Sequence, residues 1–240
     1  MAELYKQIYQ ELKNAILTEK YPAESFLPSE TALASDHSCS RDTIRKALLA
    51  LEAEGYIQKQ RGRGSQVLQH KLRTFPLNGL TSYQEIKKIQ NLDTQTVVKK
   101  FEIISVDEQL HKLTGFTLDS AVYHIVRVRI INGLTSIIDI DYLDVGLIPG
   151  LTSTIASQSL YAYIENELNL QIGYSEKQIT CPRLSSQDRE LMPDLPKEEN
   201  RVIQVESSSY LADTTLFQHT LSKHRPDQFK FEEFARRQSY

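Results

Sequence analysis

The sequence contains few of the residues that build several common classes of protein. It has two cysteines, Cys39 and Cys181, in 240 residues, which are too few for a disulfide framework or a zinc site. No run approaches the roughly 18 consecutive apolar residues that mark a membrane-spanning helix. The first 20 residues also lack the apolar core of a secretory signal. We therefore expect a protein of the reducing cytoplasm that uses no cofactor.

Motifs of common enzyme sites are also absent. The sequence contains no GxSxG, HExxH or Walker pattern. Asp139 and Asp141 stand two apart and could form an acid–base pair, but no nucleophile or metal cluster accompanies them. His219 and His224 stand five apart in an extended stretch, so they point to opposite faces of a strand. We expect no catalytic residue, no metal ligand and no enzyme activity.

An excess of positive charge, which nucleic-acid binding needs, is missing from the chain as a whole, since its net charge is −3. The charge is unevenly distributed. Residues 1–73 carry 11 Lys and Arg against 9 Asp and Glu, a net charge of +2, and the rest of the chain has a net charge of −5. Residues 55–73 hold five cations and no acid. A phosphate backbone responds to this local charge rather than to the total.

The first 70 residues predict three helices followed by two short strands. Apolar residues recur at helical spacing over 4–18. Ser29 and Ser40 are suitable N-caps for a second and a third helix, and Gly55 ends the third. The extended segments 56–60 and 65–68 follow, joined by the cationic turn 61–64.

This order of elements is that of a winged helix-turn-helix. Such a domain reads DNA with short polar and arginine side chains near the start of its third helix. Its cationic loop contacts the minor groove or the phosphates. Arg41 and Arg45 fit the first role, and the RGRG turn at 61–64 fits the second. An isolated arginine pair would more often be a solvated helix face, so the prediction depends on the complete order of elements.

The remainder of the chain predicts an α+β domain with a largely antiparallel sheet. Residues 71–78 have the mixed composition of a linker. Helices are predicted at 82–92, 107–113 and 157–168, and strands at 94–106, 121–131, 136–143, 172–181, 202–212, 215–224 and 229–234. Asn132 and Gly133 predict a tight hairpin between the second and third of these strands.

Arg127 and Arg129 alternate with valines on one predicted strand. Their guanidinium groups therefore share a face, roughly 7 Å apart, while Val126 and Val128 face the core. Paired arginines suit a dianion such as a phosphate monoester. Pairing with Asp139 and Asp141 across the hairpin explains the same residues equally well, and spacing does not separate the two interpretations.

The segment LPSETALASDHSCSRDTIRKALLALEAEGYIQKQRGRGSQV, which begins at residue 27, resembles the DNA-binding domain of the GntR family of bacterial transcriptional regulators. The resemblance implies a winged helix-turn-helix over residues 1–70. Thr31 departs from the arginine that many members carry there. The DNA-binding residues implied by the resemblance are Ser29, Glu30, Ser40, Arg41, Thr43, Arg45, Arg61, Gly62, Arg63 and Gly64.

The second part resembles the effector-binding (UTRA) domain of the HutC subfamily, a fold similar to chorismate lyase. The matching pieces are GLTSY at 79–83, the RVR strand, SLYAYIENELNL at 159–170 and SKHRPDQFKF at 222–231. The resemblance implies an effector domain over 79–240. By the same resemblance, a phosphate is held by Ser82, Arg127, Arg129, Ser159 and Tyr161. The resemblance also implies that three further side chains face the sugar, those of Asp139, Gln218 and His224.

This resemblance implies a homodimeric repressor bound to a palindromic operator and released by a sugar phosphate. Gln218 and His224 depart from the commoner Glu and Tyr, which indicates a different sugar from that of the amino-sugar regulators. GLTSY together with FEEFARR at 231–237 is similar to repressors of trehalose operons, which implies trehalose 6-phosphate as the effector. The alternatives are another sugar phosphate, a small organic acid and, more remotely, an enzyme like chorismate lyase.

Overall fold

The computed structural model describes residues 2–69 and 94–231, and these form two compact units. The predicted linker at 71–78 and the predicted helix at 82–92 lie outside the described residues. Within the described ranges, no helix is both long and apolar enough to cross a membrane.

Three helices make up most of the first unit: α1 (Ala2–Leu17), α2 (Glu30–Asp36) and α3 (Arg41–Ala53). The predicted N-caps are confirmed, because the Ser29 hydroxyl accepts the N–H of Ala32 and the Ser40 hydroxyl accepts that of Thr43. These two bonds satisfy amide groups that the first turn of a helix otherwise leaves unpaired. The two capping serines therefore fix the residues at which α2 and α3 begin.

A hairpin of β1 (Ile57–Gln60) and β2 (Gly64–Val67) follows α3. Apolar side chains from all five elements share one core, so the hairpin is fixed to the helices rather than projecting freely. This arrangement is the predicted winged helix-turn-helix. The core includes Ile8, Leu12, Leu33, Ile44, Leu48, Leu51, Ile57 and Val67.

The second unit is built on an antiparallel sheet, as predicted, and this sheet has six strands. Its strand order is β3-β4-β5-β8-β7-β6. The strands are β3 (Thr94–Ser105), β4 (Ala121–Ile131), β5 (Leu134–Asp144), β6 (Ile172–Thr180), β7 (Ile203–Leu211) and β8 (Leu216–His224). The predicted hairpin between β4 and β5 is confirmed. Asn132 and Gly133 both adopt positive φ there, as a tight turn that matches strand twist requires.

Short helices connect the strands of this sheet. They are α4 (Glu108–Thr114), α5 (Ser153–Gln158), α6 (Leu160–Ala162) with a π-helical turn at Tyr163–Glu167, and α7 (Ser186–Leu191). Two predictions need correction. The single helix expected at 157–168 is interrupted at Ser159, whose extended backbone ends α5 and whose hydroxyl caps α6. Residues 229–231 are irregular, and the rest of the strand predicted at 229–234 lies outside the described residues.

Both faces of the central strands β4 and β5 are covered. One face carries Tyr123, Ile125 and Leu143 and packs on α5, α6 and the π-helical turn. The opposite face carries Val126, Val128 and Ile138, which pack near α7. The valines therefore face a core, as predicted. The arginines between them are buried as well, with 5% of Arg127 and 8% of Arg129 exposed.

Candidate functional site

The predicted DNA-contacting residues lie at the starts of α2 and α3 and at the tip of the hairpin. Arg41 and Arg45 are exposed on α3. The Thr43 hydroxyl lies 2.8 Å from that of Ser40, so both side chains take part in starting the helix. Ser29 has the same capping role in α2. All four residues of the turn 61–64 are exposed.

Glu30 connects three elements of the first unit. Its carboxylate lies 2.7 Å from Lys59 Nζ on β1 and 3.4 Å from Arg45 Nη2 on α3. The hydrogen bond from Lys59 is the main reason that the Glu30 pKa is lowered. A carboxylate repels DNA phosphates, but here it holds two cations at defined positions. Sequence reasoning missed this role of Lys59 because 29 positions separate it from Glu30.

The turn of the hairpin is held against the segment that precedes α2. Phe26 pairs with Gln66 in an isolated bridge, and the guanidinium of Arg63 lies 5.4 Å from the centre of the Phe26 ring. Gly62 has a φ of 78°, a left-handed conformation that favours glycine. The contacts of Gln66 and Arg63 with Phe26 therefore fix the β2 side of the turn that carries Arg61 and Arg63.

In the second unit, the arginines of β4 pair with the aspartates of β5. Arg127 Nε and Nη2 lie 2.9 and 2.7 Å from Asp141 Oδ2, and Arg129 Nε lies 2.6 Å from Asp139 Oδ2. These four residues are called the buried ion cluster below. Arg127 stands opposite Asp139 in the register, so each arginine reaches diagonally to the neighbouring position. Of the two interpretations that spacing left open, the aspartate-paired arrangement is the one present in this structure.

Strand β8 completes the hydrogen bonding of these aspartates. Asp141 Oδ1 accepts bonds from Gln218 Nε2 at 2.9 Å and from Thr220 Oγ1 at 2.8 Å. The Ser222 hydroxyl bonds to Asp139. Buried charges are tolerated when they are paired and hydrogen-bonded in this way. Thr220 and Ser222 were not predicted, and the only signal for them was their alternation with Gln218 along one strand.

The electrostatics of the buried ion cluster favour its ionised form. Burial alone would raise the pKa of Asp139, but Arg129 and Arg127 outweigh it and lower that pKa to about 2. Burial likewise works against the charged form of Arg127, and Asp141 and Asp139 reverse this effect and raise its pKa. The two positive and two negative charges cancel, so the ligand-free cluster has no excess charge for an anion.

The other residues expected at the effector site differ in how close they lie to this cluster. The charge interaction with Tyr161 helps to raise the pKa of Arg127. The Tyr161 hydroxyl lies 3.4 Å from Ser209 Oγ on β7. Burial lowers the pKa of His224 to about 4, the charge of Asp139 opposes this effect, and the charge of Arg129 adds to it. The Ser159 hydroxyl caps α6. Ser82 lies outside the described residues.

Comparison with known proteins gives the family. Residues 4–67 match the bacterial regulatory proteins of the gntR family, and residues 90–230 match the UTRA domain. The chain is 40% identical to the HTH-type transcriptional regulator TreR of Bacillus subtilis, over 98% of this chain and 96% of that protein. It is 28% identical to the regulator GmuR of the same organism, over 94% and 95% of the two chains.

Comparison with solved structures leads to the same family. The effector-binding domain of the B. subtilis trehalose repressor TreR superposes with a TM-score of 0.55 at 39% identity, covering 60% of this chain and 99% of that domain. The regulator YydK of B. subtilis superposes with a TM-score of 0.80 at 24% identity, covering 97% and 99%, which supports the fold. These relatives are regulators and not enzymes. The chain is a transcriptional regulator of the GntR family, with a winged helix-turn-helix that binds DNA and a UTRA domain of the HutC type.

Proposed function

We propose that this protein is a homodimeric repressor of a trehalose-utilisation operon, acts in the cytoplasm, and is released from its operator by trehalose 6-phosphate. The observation that carries the proposal is the 40% identity to TreR along almost the whole chain. Both the DNA-binding part and the effector part lie within that match. A regulator that shares both parts at this level is expected to share its type of signal.

The DNA contacts would come from α3 and the hairpin turn. Arg41 and Arg45 would reach base edges in the major groove, and Arg61 and Arg63 would contact the minor groove or phosphates. Two copies of α3 in a dimer would enter successive major grooves of a palindromic operator, about 34 Å apart. The net charge of +2 on residues 1–73 is small, so tight binding would need both copies.

The buried ion cluster supports a ligand that carries both a phosphate and hydroxyl groups. A phosphate would have to replace Asp139 and Asp141 as the partner of Arg127 and Arg129. The displaced carboxylates would then need hydrogen-bond donors, which sugar hydroxyls supply. A free sugar would not separate the ion pairs, and inorganic phosphate would leave the carboxylates without new donors. A sugar phosphate meets both requirements.

The test is operator affinity with and without effector. DNA that binds the full-length protein would be selected from random sequence, and its affinity measured by fluorescence anisotropy. Trehalose 6-phosphate should weaken binding by about 5- to 150-fold, the range of common allosteric couplings. Trehalose without phosphate serves as the control and should have little effect. Unchanged affinity at millimolar trehalose 6-phosphate would rule out this effector.

A second candidate is a regulator of the same subfamily that responds to another sugar phosphate or to a small organic acid. By the resemblance, Gln218 and His224 separate this protein from amino-sugar regulators, which is compatible with either candidate. A panel of phosphorylated sugars and organic acids in a thermal-shift assay would separate the candidates. A ligand that binds only the folded state raises the melting temperature.

A further inference from the structure

The two arginines of the hairpin turn differ in what holds their side chains. Arg63 lies over the ring of Phe26, with 5.4 Å between its Cζ atom and the ring centre. Arg61 is exposed, and within the part of the chain that the structure describes no hydrogen bond, ion pair or ring contact holds its guanidinium. The side chain of Arg63 is therefore restricted in the free protein, and that of Arg61 is not.

Phe26 is itself fixed, because the segment that carries it is hydrogen-bonded along β2. The N–H of Glu24 donates to the carbonyl of Val67 at 2.8 Å. The N–H of Leu27 donates to the carbonyl of Ser65 at 2.9 Å. Leu27 packs in the core of the first unit, and α2 begins three residues later. The ring therefore has a defined position relative to both α2 and the turn.

An aromatic ring can hold an arginine without occupying its hydrogen-bond donors. A carboxylate accepts the N–H groups of a guanidinium and offsets its charge, as Glu30 does for Arg45. A DNA phosphate has to compete with such a carboxylate for the same donors. The ring of Phe26 attracts the cation through its face and uses no N–H group as a conventional acceptor would. The donors of Arg63 therefore stay available for a phosphate or a base edge.

We propose that Phe26 is a positioning residue for DNA recognition, which holds Arg63 in the direction from which it contacts the operator. The proposal rests on the proposed function, because that function places Arg63 at the minor groove or the phosphates. An arginine side chain loses rotamer freedom when it binds a partner. Phe26 imposes part of this loss in the free protein, so less of it opposes the binding of DNA. Arg61 has no such support and bears the full loss on binding.

A double-mutant cycle on operator affinity tests this role. The full-length protein and its variants would be titrated by fluorescence anisotropy against the selected operator. Phe26→Leu keeps an apolar side chain but removes the ring, and it should weaken binding at least about threefold. In protein that already carries Arg63→Ala, the same change should cost less than about twofold. Phe26→Tyr keeps the ring and should bind within about twofold of wild type.

Arg61→Ala is the matched control, because Arg61 lies on the same turn and Phe26 holds Arg63 instead. In protein that carries Arg61→Ala, Phe26→Leu should still cost at least about threefold. A melting curve of each variant shows whether it is folded at the assay temperature. Phe26→Met, which also removes the ring but is less compact, replaces Phe26→Leu in the cycle if the leucine variant does not fold.

Three outcomes would each reject the role of Phe26, and they differ in what else they reject. Unchanged operator affinity in Arg63→Ala removes Arg63 from the DNA contacts, so the contact assigned under the proposed function fails as well. Weaker binding by Arg63→Ala with unchanged binding by Phe26→Leu rejects the positioning role alone. Equal losses from Phe26→Leu with Arg63 present and with Arg63→Ala show that Phe26 supports the fold of the turn and does not act through Arg63.

Discussion

At the scale of single residues, the second unit depends on charges that its fold removes from water. Asp141 is fully buried and Arg127 nearly so, and each is acceptable only because the other is present. His224 is a different case, because burial keeps its imidazole neutral by lowering its pKa to about 4. An unfolded histidine has a pKa of about 6.5. The two values define a pH window in which the folded state binds fewer protons than the unfolded state.

The first prediction follows from that window. Between pH 6.5 and pH 4 the unfolded chain protonates His224 and the folded chain does not, so stability falls as the pH is lowered. This effect should lower the free energy of unfolding by on the order of 2–3 kcal/mol across the window, and the conservative variant His224→Gln should remove much of it. Urea unfolding at pH 7 and pH 4.5 measures it. An equal loss of stability in the variant and in wild type would show that His224 does not titrate in this way.

At the scale of elements, the first unit was largely predictable because its signals are local. Capping serines, helical spacing and a glycine-containing turn each act within a few residues, so the starts of α2 and α3 were placed correctly. The interruption at Ser159 was not predicted. The apolar periodicity of the predicted helix continues through the break, and Ala156, Leu160 and Ile164 on its two sides share one core. The link from Glu30 to Arg45 and Lys59 also needed the folded arrangement of α2, α3 and β1.

The second prediction concerns that link. Glu30→Gln should free Arg45 and Lys59 and remove one negative charge near the DNA-binding surface. Affinity for random DNA should rise by a few fold, because attraction to phosphates strengthens. Discrimination in favour of the selected operator should fall, because Arg45 is no longer held in one position. Anisotropy titrations with both DNAs measure the two effects.

Asp42→Asn is the control for this substitution. Like Glu30→Gln, it removes one negative charge, but from α3. Asp42 pairs with Lys46 and not with Arg45. It should raise the affinity for random DNA without reducing discrimination. If both variants lose discrimination equally, Glu30 acts through its charge alone and not by positioning Arg45. The ion pairs themselves contribute about 0–1 kcal/mol each to stability, so both variants should fold.

At the scale of the whole molecule, a regulator must join two binding events that use separate residues. The charge distribution reflects this separation, with net charges of +2 on residues 1–73 and −5 on the rest. The acidic second part disfavours DNA, which is consistent with our proposal that DNA binds at the cations of α3 and the hairpin turn. Effector binding in the second part therefore has to change the DNA affinity of the first part.

The third prediction separates these two events. Arg127→Lys keeps one positive charge against Asp141 but loses the planar group that can hold a phosphate through two nitrogens. It should weaken trehalose 6-phosphate at least about tenfold and leave operator affinity without ligand within about twofold. Calorimetry and anisotropy on the same preparation measure both quantities. Undiminished ligand binding by a folded variant would make the arginine–aspartate pairs purely structural.

The sequence by itself determined the winged helix-turn-helix, the antiparallel sheet and the common face of Arg127 and Arg129. These follow from capping, periodicity and alternation, which are properties of neighbouring residues. Only the tertiary structure decided that Arg127 pairs with Asp141 and that Gln218 reaches the same carboxylate from 77 positions away. The strand order β4-β5-β8 brings these residues together. Such an order is set by packing of the whole domain, so no local pattern in the sequence encodes it.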